Sequence, residues 1–329
     1  MQYVHLGRSG LRVSRLCLGT MNFGPQTDEP DAFAIMDRAH EHGLNFFDTA
    51  NVYGRSAPDQ PGGRTEEIVG RWLAQGGGRR ERTVLATKLY GNMGSSWPNE
   101  DRLSALNIRR SAEASLRRLQ TDYIDLYQMH HVDRDTPWDE IWEAMELLRD
   151  QGKVLYFGSS NFAGWHIVKA QEAAARRNFM GLVSEQSIYS LVVREIEMEV
   201  IPAAVDYGLG VIAWSPLQGG MLAGILSRPG DGGQRFLDNG RAQESLRREH
   251  DRVQAYEALC LKIGTEPALV GLAWVLSRPG ITGPIVGPRT TEQLDNALQA
   301  LDVTLDDSTL AELDKIFPPH KPSPEDYAW

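Results

Sequence analysis

The sequence predicts an α/β protein, a single (β/α)8 TIM barrel with an N-terminal β-hairpin and long loops at its C-terminal face. Short apolar runs alternate with longer helix-like segments along the 329 residues, and there are eight such runs. They are rich in Val, Ile, Leu and Phe, which is typical of parallel strands buried on both faces. Eight strands with helices between them indicate a closed barrel. We therefore expect one domain over residues 1–329, with 318–329 as a C-terminal tail.

A hairpin is predicted over residues 3–14, before the first barrel strand. The predicted strands are 15–18, 45–49, 83–88, 124–130, 154–158, 182–187, 210–214 and 283–287. The predicted helices have apolar residues at three- and four-residue intervals and include 31–42, 65–75, 104–119, 138–150, 164–177, 194–207 and 291–300. Acidic residues follow Thr65 and Thr291, as in the first turn of many helices.

Two segments lack such periodicity, 89–103 and 216–250, and both follow predicted strand ends. Long loops on this face of a barrel build or cover the active site. We expect 89–103 to form a substrate-side rim and 216–250 a cofactor-side flap. A floppy surface insertion is the competing interpretation of the glycine-rich tip at 229–233.

An open doubly wound sheet is the competing architecture. Its fingerprint is a glycine-rich turn between the first strand and the first helix, and the sequence has none there. The nominal match GLGVIA at 208–213 leads into a predicted strand, whereas the fingerprint must follow one. We interpret this match as a helix end and a strand start.

Composition narrows the classes of function. The net charge of −10 opposes a phosphate backbone, so nucleic acid is not expected as a partner. Cys17 and Cys260 lack the spacing of a zinc site or a disulfide framework. No run approaches the roughly 18 apolar residues of a membrane-spanning helix, and no signal peptide is recognisable. We expect a cytoplasmic protein without a membrane partner, and its oligomeric state is left open.

Four chemically distinct side chains lie at or just past the ends of three consecutive predicted strands: Asp48, Tyr53, Lys88 and His130. Alone, each has an ordinary interpretation, as a strand-end cap, a loop aromatic, a surface charge and a core polar group. However, the C-terminal ends of parallel strands meet at one rim of a barrel. A carboxylate, a phenol, an ammonium and an imidazole gathered there indicate a proton-donating site.

Tyr53 is the expected proton donor of this site. A phenol ionises near pH 10 and is a sluggish acid unless its anion is stabilised. Lys88 is expected to lower the phenol pKa from within about 4–6 Å. Asp48 is expected to keep the ammonium charged, and His130 to donate a hydrogen bond to the substrate oxygen.

Strand alternation places His130 on the site-facing side with Gln128, and His131 on the other side. We interpret His131 as a polar residue that faces the helices. Because adjacent strand positions point apart, His130, His131 and Asp133 are not expected to chelate together, and no metal is predicted.

From residue 1 to about 317 the sequence resembles the aldo-keto reductases. The segments DTANVYG at 48–54 and DLYQMH at 125–130 carry the family's catalytic tetrad at the same strand ends. The segments 128–131, 155–166 and 281–289 are most similar to those of reductases that act on nucleotide-linked 4-keto-6-deoxyhexoses. Members similar to potassium-channel β-subunits belong to the same broader group.

The resemblance implies NADP(H) as the cofactor. The implied contacts are Thr20, Met21, Asp48, Ser160, Asn161, Gln186, Trp214, Ser215, Pro216, Leu217, Gln218, Gly219, Gly287, Arg289, Gln293 and Asn296. Hydroxyl and amide groups of Ser160, Asn161 and Gln186 suit a carboxamide, and the segment 214–222 resembles the family's pyrophosphate segment. Arg289, before a helix N-terminus, suits a 2′-phosphate and favours NADPH. Family members often carry Glu-Asn where this chain has Asn296 and Ala297. The adenine contact is therefore either lost or supplied by Asn296.

The expected substrate is a small carbonyl compound, either a general aldehyde or ketone or, more specifically, a nucleotide-linked keto-deoxysugar. Its pocket is expected to be built from 89–103, 21–23 and the tail, with Tyr327 and Trp329 as apolar lining. A disordered tail is the competing expectation.

Two other functions remain open from the sequence. An NADP(H)-sensing barrel could regulate a partner, with incidental turnover, although the intact tetrad favours catalysis. A barrel hydrolase or isomerase needs paired carboxylates or a metal at the rim, which Asp48 alone does not supply.

Overall fold

The computed structural model describes residues 1–55, 60–94, 97–227 and 240–328, with side chains in the last range from residue 243 onward. Ser95, Ser96, the predicted tip 229–233 and Trp329 lie outside these residues. Within the described ranges the predicted barrel and hairpin are confirmed. Parallel strands pair around a closed barrel, and the first barrel strand pairs with the last.

The strands run in the predicted order, with bounds that differ by a few residues. The hairpin consists of β1 (Tyr3–His5) and β2 (Arg12–Ser14), and the barrel consists of β3 (Cys17–Gly19), β4 (Phe46–Asp48), β5 (Val84–Leu89), β6 (Ile124–Met129), β7 (Val154–Ser160), β8 (Leu182–Ile188), β9 (Gly210–Trp214) and β10 (Ile281–Val286).

Helices lie between the barrel strands. They are α1 (Glu29–Glu41), α2 (Arg64–Leu73), α3 (Ala105–Leu119), α4 (Trp138–Asp150), α5 (Gly164–Arg176), α6 (Val200–Asp206), α7 (Gly240–Ile263), α8 (Pro267–Ser277), α9 (Thr291–Leu298), α10 (Asp307–Ile316) and α11 (Glu325–Ala328). Several starts are capped by the preceding side chain. Asp28 accepts the N–H of Asp31, and Ser104 accepts that of Asn107.

Two predicted elements were wrong. The segment 194–207 is not one helix but a 3-10 turn, Glu195–Glu197, followed by the short α6. Pro202 fits the first turn of α6 but would disrupt the interior of a longer helix. The segment 216–250 is not irregular throughout, because α7 begins at Gly240. The residues of α7 that pack in the core include Val253 and Tyr256, both fully buried. Many charged neighbours in the sequence obscure the helical spacing of these apolar residues.

The hairpin closes the N-terminal end of the barrel. Leu6 and Val13 are fully buried in one apolar cluster with Cys17, Phe46 and other inward-facing strand residues. Gly7 has a φ of +55°, and a Cβ there would lie 2.5 Å from the carbonyl oxygens of Gly208 and Val183. The hairpin can approach the barrel this closely only with glycine at this position.

Strand register brings the polar strand ends together at the other end of the barrel. Lys88 pairs with Gln128 between β5 and β6, and Ser160 pairs with Gln186 between β7 and β8. Among the described residues, no single helix has the length and apolar character to cross a membrane, while α7 and α8, bent by 93°, pass that test only as a pair.

Candidate active site

Lys88 lies at the centre of the four predicted catalytic residues. Its ammonium, fully buried, donates to Asp48 Oδ2 at 2.5 Å, to the Thr49 carbonyl at 2.9 Å and to Tyr53 Oη at 3.2 Å. An ammonium has three N–H donors, so all three have acceptors. Burial alone would lower the pKa of Lys88, but Asp48 and Tyr53 raise it above its ordinary value. The lysine is therefore held charged, as predicted from its pairing with Asp48.

Asp48 ends β4 and accepts hydrogen bonds on both carboxylate oxygens. Oδ1 accepts from Gln128 Nε2 at 3.0 Å and from Gln186 Nε2 at 2.8 Å, while Oδ2 accepts from Lys88. Gly158 makes room for this network, since a Cβ there would lie 2.5 Å from Ser184 Oγ and 3.2 Å from Gln128 Cγ. Two amides and one ammonium thus satisfy a carboxylate that is buried in the barrel interior.

Tyr53 reaches the site from the turn that follows β4. Its N–H donates to the Ala50 carbonyl at 3.1 Å, and its own carbonyl accepts the Gly63 N–H at 3.0 Å. Burial raises the phenol pKa and outweighs the opposite effect of Lys88. The acidification predicted for this pair is present as a contribution, but the net direction was wrong. The phenol keeps its proton at neutral pH.

His130 follows the end of β6 and lies edge-on to the Tyr53 ring, with centroids 5.8 Å apart and planes at 80°. Burial, with smaller contributions from Lys88 and His131, holds the pKa of His130 well below its ordinary value. The imidazole is therefore neutral at pH 7. A neutral imidazole still carries one N–H donor for a substrate oxygen.

The interpretation of His131 as a helix-facing residue was wrong. Its ring is exposed at the rim and stacks on His130, with centroids 5.0 Å apart and planes within 4°. The His131 ring also lies edge-on to the Tyr90 ring, with centroids 5.2 Å apart. Because β6 ends at Met129, the alternation of side chains in a strand does not extend to His131.

A turn after β7 joins three of the predicted cofactor residues. Asn161 Nδ2 donates to Ser160 Oγ at 3.0 Å, and Asn161 Oδ1 accepts from Trp214 Nε1 at 3.0 Å. The backbone of Asn161 is left-handed, with φ +59°, and its N–H donates to the Gln186 carbonyl at 3.0 Å. The Gln186 amide nitrogen is turned toward Asp48, which leaves its oxygen for the predicted carboxamide contact.

The segment after β9 has the backbone geometry expected of a phosphate-binding loop. Ser215, Gln218 and Gly219 all have left-handed φ values, of 54°, 50° and 67°. Successive turns of this kind direct backbone N–H groups into a concavity that binds anions. Among the described residues, no partner is found for the buried Gln218 Oε1. Pro216 is buried, and Leu217 is half-buried beside it.

The start of α9 is the second candidate phosphate site. Thr290 caps the helix by accepting the Gln293 N–H at 3.3 Å, and Gln293 Oε1 accepts the Arg289 N–H at 2.8 Å. Gly287 is exposed, and the Arg289 side chain is half-buried. Asn296 is farther along α9 and donates to Glu266 at 3.4 Å. A helix N-terminus beside a guanidinium suits a phosphate monoester.

Two further predicted contacts lie at the end of β3. Thr20 Oγ1 donates to the Asp48 carbonyl at 2.9 Å, and the Met21 side chain is exposed. Hydroxyl and amide groups after β7, a left-handed loop after β9 and a cation at α9 therefore surround the tetrad. This set of groups fits the carboxamide, pyrophosphate and 2′-phosphate of NADP(H) in chemistry.

At the predicted substrate end, Phe23 is fully buried in the core, and Tyr327 is 71% exposed. The tail instead docks on the 3-10 turn before α6, where the His320 N–H donates to Glu197 at 3.0 Å. A cavity of about 480 Å³ lies there, with Gln218 and His320 among its lining residues.

Two residues that contact the tetrad were missed. Gln128 orients Asp48, and the Thr49 carbonyl accepts from Lys88. Gln128 had a detectable signal, since it is a polar residue on the site-facing side of an otherwise apolar run. The Thr49 carbonyl had none, because any residue type provides a backbone oxygen. In the described parts of the chain, no group of three or more His, Cys, Asp or Glu side chains is arranged to hold a metal ion.

The chain is similar to known proteins along almost its whole length. A family model described as "Aldo/keto reductase family" matches residues 15–317. A Bacillus subtilis protein named "Uncharacterized oxidoreductase YrpG" is 54% identical over 100% of both chains.

More distant relatives carry different names. A "Probable voltage-gated potassium channel subunit beta" of Arabidopsis thaliana is 34% identical over 99% of this chain and 100% of its own. "Versiconal hemiacetal acetate reductase" of Aspergillus parasiticus is 34% identical over 97% of this chain and 98% of its own.

Proposed function

Because the chain belongs to the aldo/keto reductase family, we propose that it is an NADPH-dependent reductase that converts an aldehyde or ketone to an alcohol, with Tyr53 as proton donor. The observation that carries this proposal is the position of the Lys88 ammonium, 3.2 Å from Tyr53 Oη and paired with Asp48. That arrangement stabilises the phenolate that remains after proton transfer.

The roles of the protein groups follow from their contacts. Bound NADPH would supply the hydride to the carbonyl carbon. Tyr53 donates its proton to the carbonyl oxygen, and Lys88 stabilises the resulting phenolate. The neutral His130 donates a hydrogen bond to the same oxygen and helps to place it beside Tyr53. Asp48, anchored by Gln128 and Gln186, holds Lys88 in place and charged.

The remaining polar groups hold the cofactor. Ser160 and Asn161 bind the carboxamide, the loop after β9 binds the pyrophosphate, and Arg289 binds the 2′-phosphate. Support for this arrangement comes from the left-handed backbone of 215–219 and the capped start of α9. Both favour an anion on general grounds.

Replacing Tyr53 with Phe tests the proposal, because it removes the hydroxyl and retains the ring. We expect NADPH oxidation with 4-nitrobenzaldehyde to fall to background, while the Kd for NADPH stays within about threefold. Tyr3→Phe is the matched control. The Tyr3 hydroxyl, in the hairpin, donates to the Gly43 carbonyl at 2.8 Å. The activity of Tyr3→Phe should equal that of the wild type. Turnover retained in Tyr53→Phe would remove Tyr53 as the acid.

A nucleotide-linked 4-keto-6-deoxyhexose is the more specific proposal for the substrate, supported by the sequence resemblance of 128–131, 155–166 and 281–289. Absorbance of NADPH can be followed with such a sugar, its nucleotide-free form and simple aldehydes. A kcat/KM for the nucleotide-linked sugar at least about a hundredfold above the others would support it. Equal values would leave general carbonyl reduction as the function.

A regulatory NADP(H) sensor is the second candidate, because relatives named as potassium channel β subunits align over almost the whole chain. Stopped-flow oxidation of bound NADPH by an aldehyde separates the two functions. Slow single turnover with tight retention of the oxidised cofactor favours the sensor, whereas rapid multiple turnover favours the enzyme.

A further inference from the structure

Glu185 is a buried carboxyl group beside the proposed nicotinamide site. It precedes Gln186 on β8, and adjacent strand residues point to opposite faces, so Gln186 reaches Asp48 inside the barrel while Glu185 points outward. Glu185 is fully buried. Its Oε1 accepts the Phe162 N–H at 3.1 Å and the Ser187 hydroxyl at 2.7 Å, and its Oε2 accepts the Ser159 hydroxyl.

These contacts fasten the turn that contains Ser160 and Asn161. Asn161 is left-handed, a backbone state that costs non-glycine residues of the order of 1 kcal/mol or more unless it is held by its surroundings. The turn is held on both sides of this residue. The Asn161 N–H donates to the Gln186 carbonyl, and the next N–H, that of Phe162, donates to Glu185.

A purely structural role does not explain a carboxyl group at this position, because burying it costs free energy. A buried carboxylate without a paired cation is strongly disfavoured, and neutral hydroxyls and N–H groups are the partners described here. A glutamine amide oxygen could accept the same Phe162 N–H without this cost. The group therefore supplies something that a neutral acceptor does not, namely the stronger hydrogen bonds of an ionised acceptor.

We propose that Glu185 is a positioning residue of the nicotinamide site: its carboxyl group holds turn 159–162 so that Ser160 and Asn161 present their polar groups to the carboxamide. This inference rests on the proposed function, because it assumes that a nicotinamide binds there. Glu185 itself does not touch the reacting atoms, and it acts through the backbone of the turn.

The ionisation of this carboxyl group should then govern the strength of cofactor binding. Burial raises the pKa of Glu185 to about 7, against the opposing effects of Ser159, Ser187 and the turn N–H groups. His166 is the buried titratable residue of the adjoining α5, and burial lowers its pKa, so it is neutral near pH 7. On β9, the residue paired with Glu185 is the apolar Val211.

The test measures the Kd for NADH, which lacks a titrating 2′-phosphate, by quenching of protein fluorescence at pH 6 and pH 8.5. We expect the wild type to bind about fivefold tighter at pH 8.5, because an ionised acceptor forms stronger hydrogen bonds. Glu185→Gln should vary less than twofold and bind about fivefold more weakly than the wild type at pH 8.5. Equal Kd values for the two proteins at both pH values would overturn the inference.

Ser187→Ala provides an independent test that does not depend on the folding of the first variant. It removes a donor to Oε1, which stabilises the ionised carboxylate. The pKa of Glu185 should therefore rise, and the pH midpoint of NADH binding should move upward by up to about one unit. An unmoved midpoint counts against the inference.

Asp125→Asn is the matched control at the opposite end of the barrel. Asp125 is also buried, burial raises its pKa, and it binds Arg80 at 2.7 Å. Loss of stability without a change in the pH dependence of NADH binding is the expected result. A wild type that binds neither NADH nor NADPH would overturn the proposed function itself. If the wild type binds NADH but Glu185→Gln has the same Kd values as the wild type at both pH values, the Glu185 inference alone would be overturned.

Discussion

The two ends of the barrel are built from the same strands but contain opposite chemistry. At the N-terminal end, Leu6 and Val13 of the hairpin pack against Phe46 and Val84 in an apolar cluster. At the C-terminal end, β4 and β5 carry Asp48 and Lys88 near their last residues. The N-terminal end therefore contributes to stability by burying apolar surface. Reactivity is concentrated at the other, where each buried charge requires partners.

The partners of the buried carboxyl groups differ from one part of the barrel to another. Asp48 inside the rim has an ammonium and two amides, and Asp125 at the opposite end has Arg80. Glu185, outside the rim, has hydroxyl and N–H donors. A nearby cation favours the ionised form of a carboxylate, whereas neutral donors only partly offset its desolvation. Burial raises the pKa of Glu185 to about 7, so the protonation of this carboxyl group changes near neutral pH.

Lys88→Met should produce the largest effect, at the rim. Loss of the ammonium removes the stabilisation of the Tyr53 phenolate, and kcat/KM should fall by about a thousandfold or more in steady-state assays. The same change leaves the Asp48 carboxylate buried without a cation, which should lower the free energy of unfolding by about 3 kcal/mol. Lys153→Met is the control, since Lys153 pairs with Glu113 on the surface. Wild-type kinetics in Lys88→Met would contradict the contrast between the two ends.

Leu6→Ala tests the opposite end. Deleting this fully buried side chain should lower the free energy of unfolding in urea by about 3 kcal/mol. The kcat/KM of the folded protein should remain within about twofold. Leu261→Ala is the control, because Leu261 is 85% exposed on α7 and should change stability by less than about 0.5 kcal/mol. A loss of catalysis comparable with that of Lys88→Met would show that the two ends are coupled.

Glu185 should make stability depend on pH. Its pKa is about 7 in the folded protein and 4.5 ordinarily, so the folded state binds the proton more tightly. The contribution of this group to stability is therefore largest below about pH 4.5 and is lost as the pH rises through 7. Linkage gives a loss of roughly 2 to 3 kcal/mol between pH 5 and pH 8 from this group. The free energy of unfolding in urea, measured for the wild type and for Glu185→Gln across this pH range, isolates the contribution of Glu185 as their difference. A difference that does not change with pH would contradict the assignment.

Arg289→Ala should have the smallest effect, at the outer edge of the rim. Loss of the guanidinium should reduce the preference for NADPH over NADH about tenfold, which equals about 1.4 kcal/mol. The ratio of kcat/KM values for the two cofactors measures it. Arg12→Ala, in the N-terminal hairpin, should leave the ratio unchanged. An unaltered ratio in Arg289→Ala would remove Arg289 from the cofactor assignment.

Local patterns were sufficient for the barrel and for the grouping of the tetrad. Buried parallel strands are short and apolar, so their ends can be located, and Asp48, Lys88 and His130 could be assigned to one rim. Elements whose apolar residues are diluted by charges, such as α7, were not found. His131 was misassigned because its orientation depends on where β6 stops, and the ladder of hydrogen bonds that ends a strand forms between distant segments.

The sequence by itself determined the alternation of strands and helices, the residue types at the strand ends and the family that they resemble. These follow from interactions over a few residues, where side-chain periodicity and chemical type are directly encoded. The tertiary structure alone decided that Gln128 and Gln186 converge on Asp48, that burial outweighs Lys88 in setting the Tyr53 pKa, and that Glu185 lies under the turn at Asn161. Desolvation and hydrogen bonding between remote residues depend on distances that exist only once the barrel has closed.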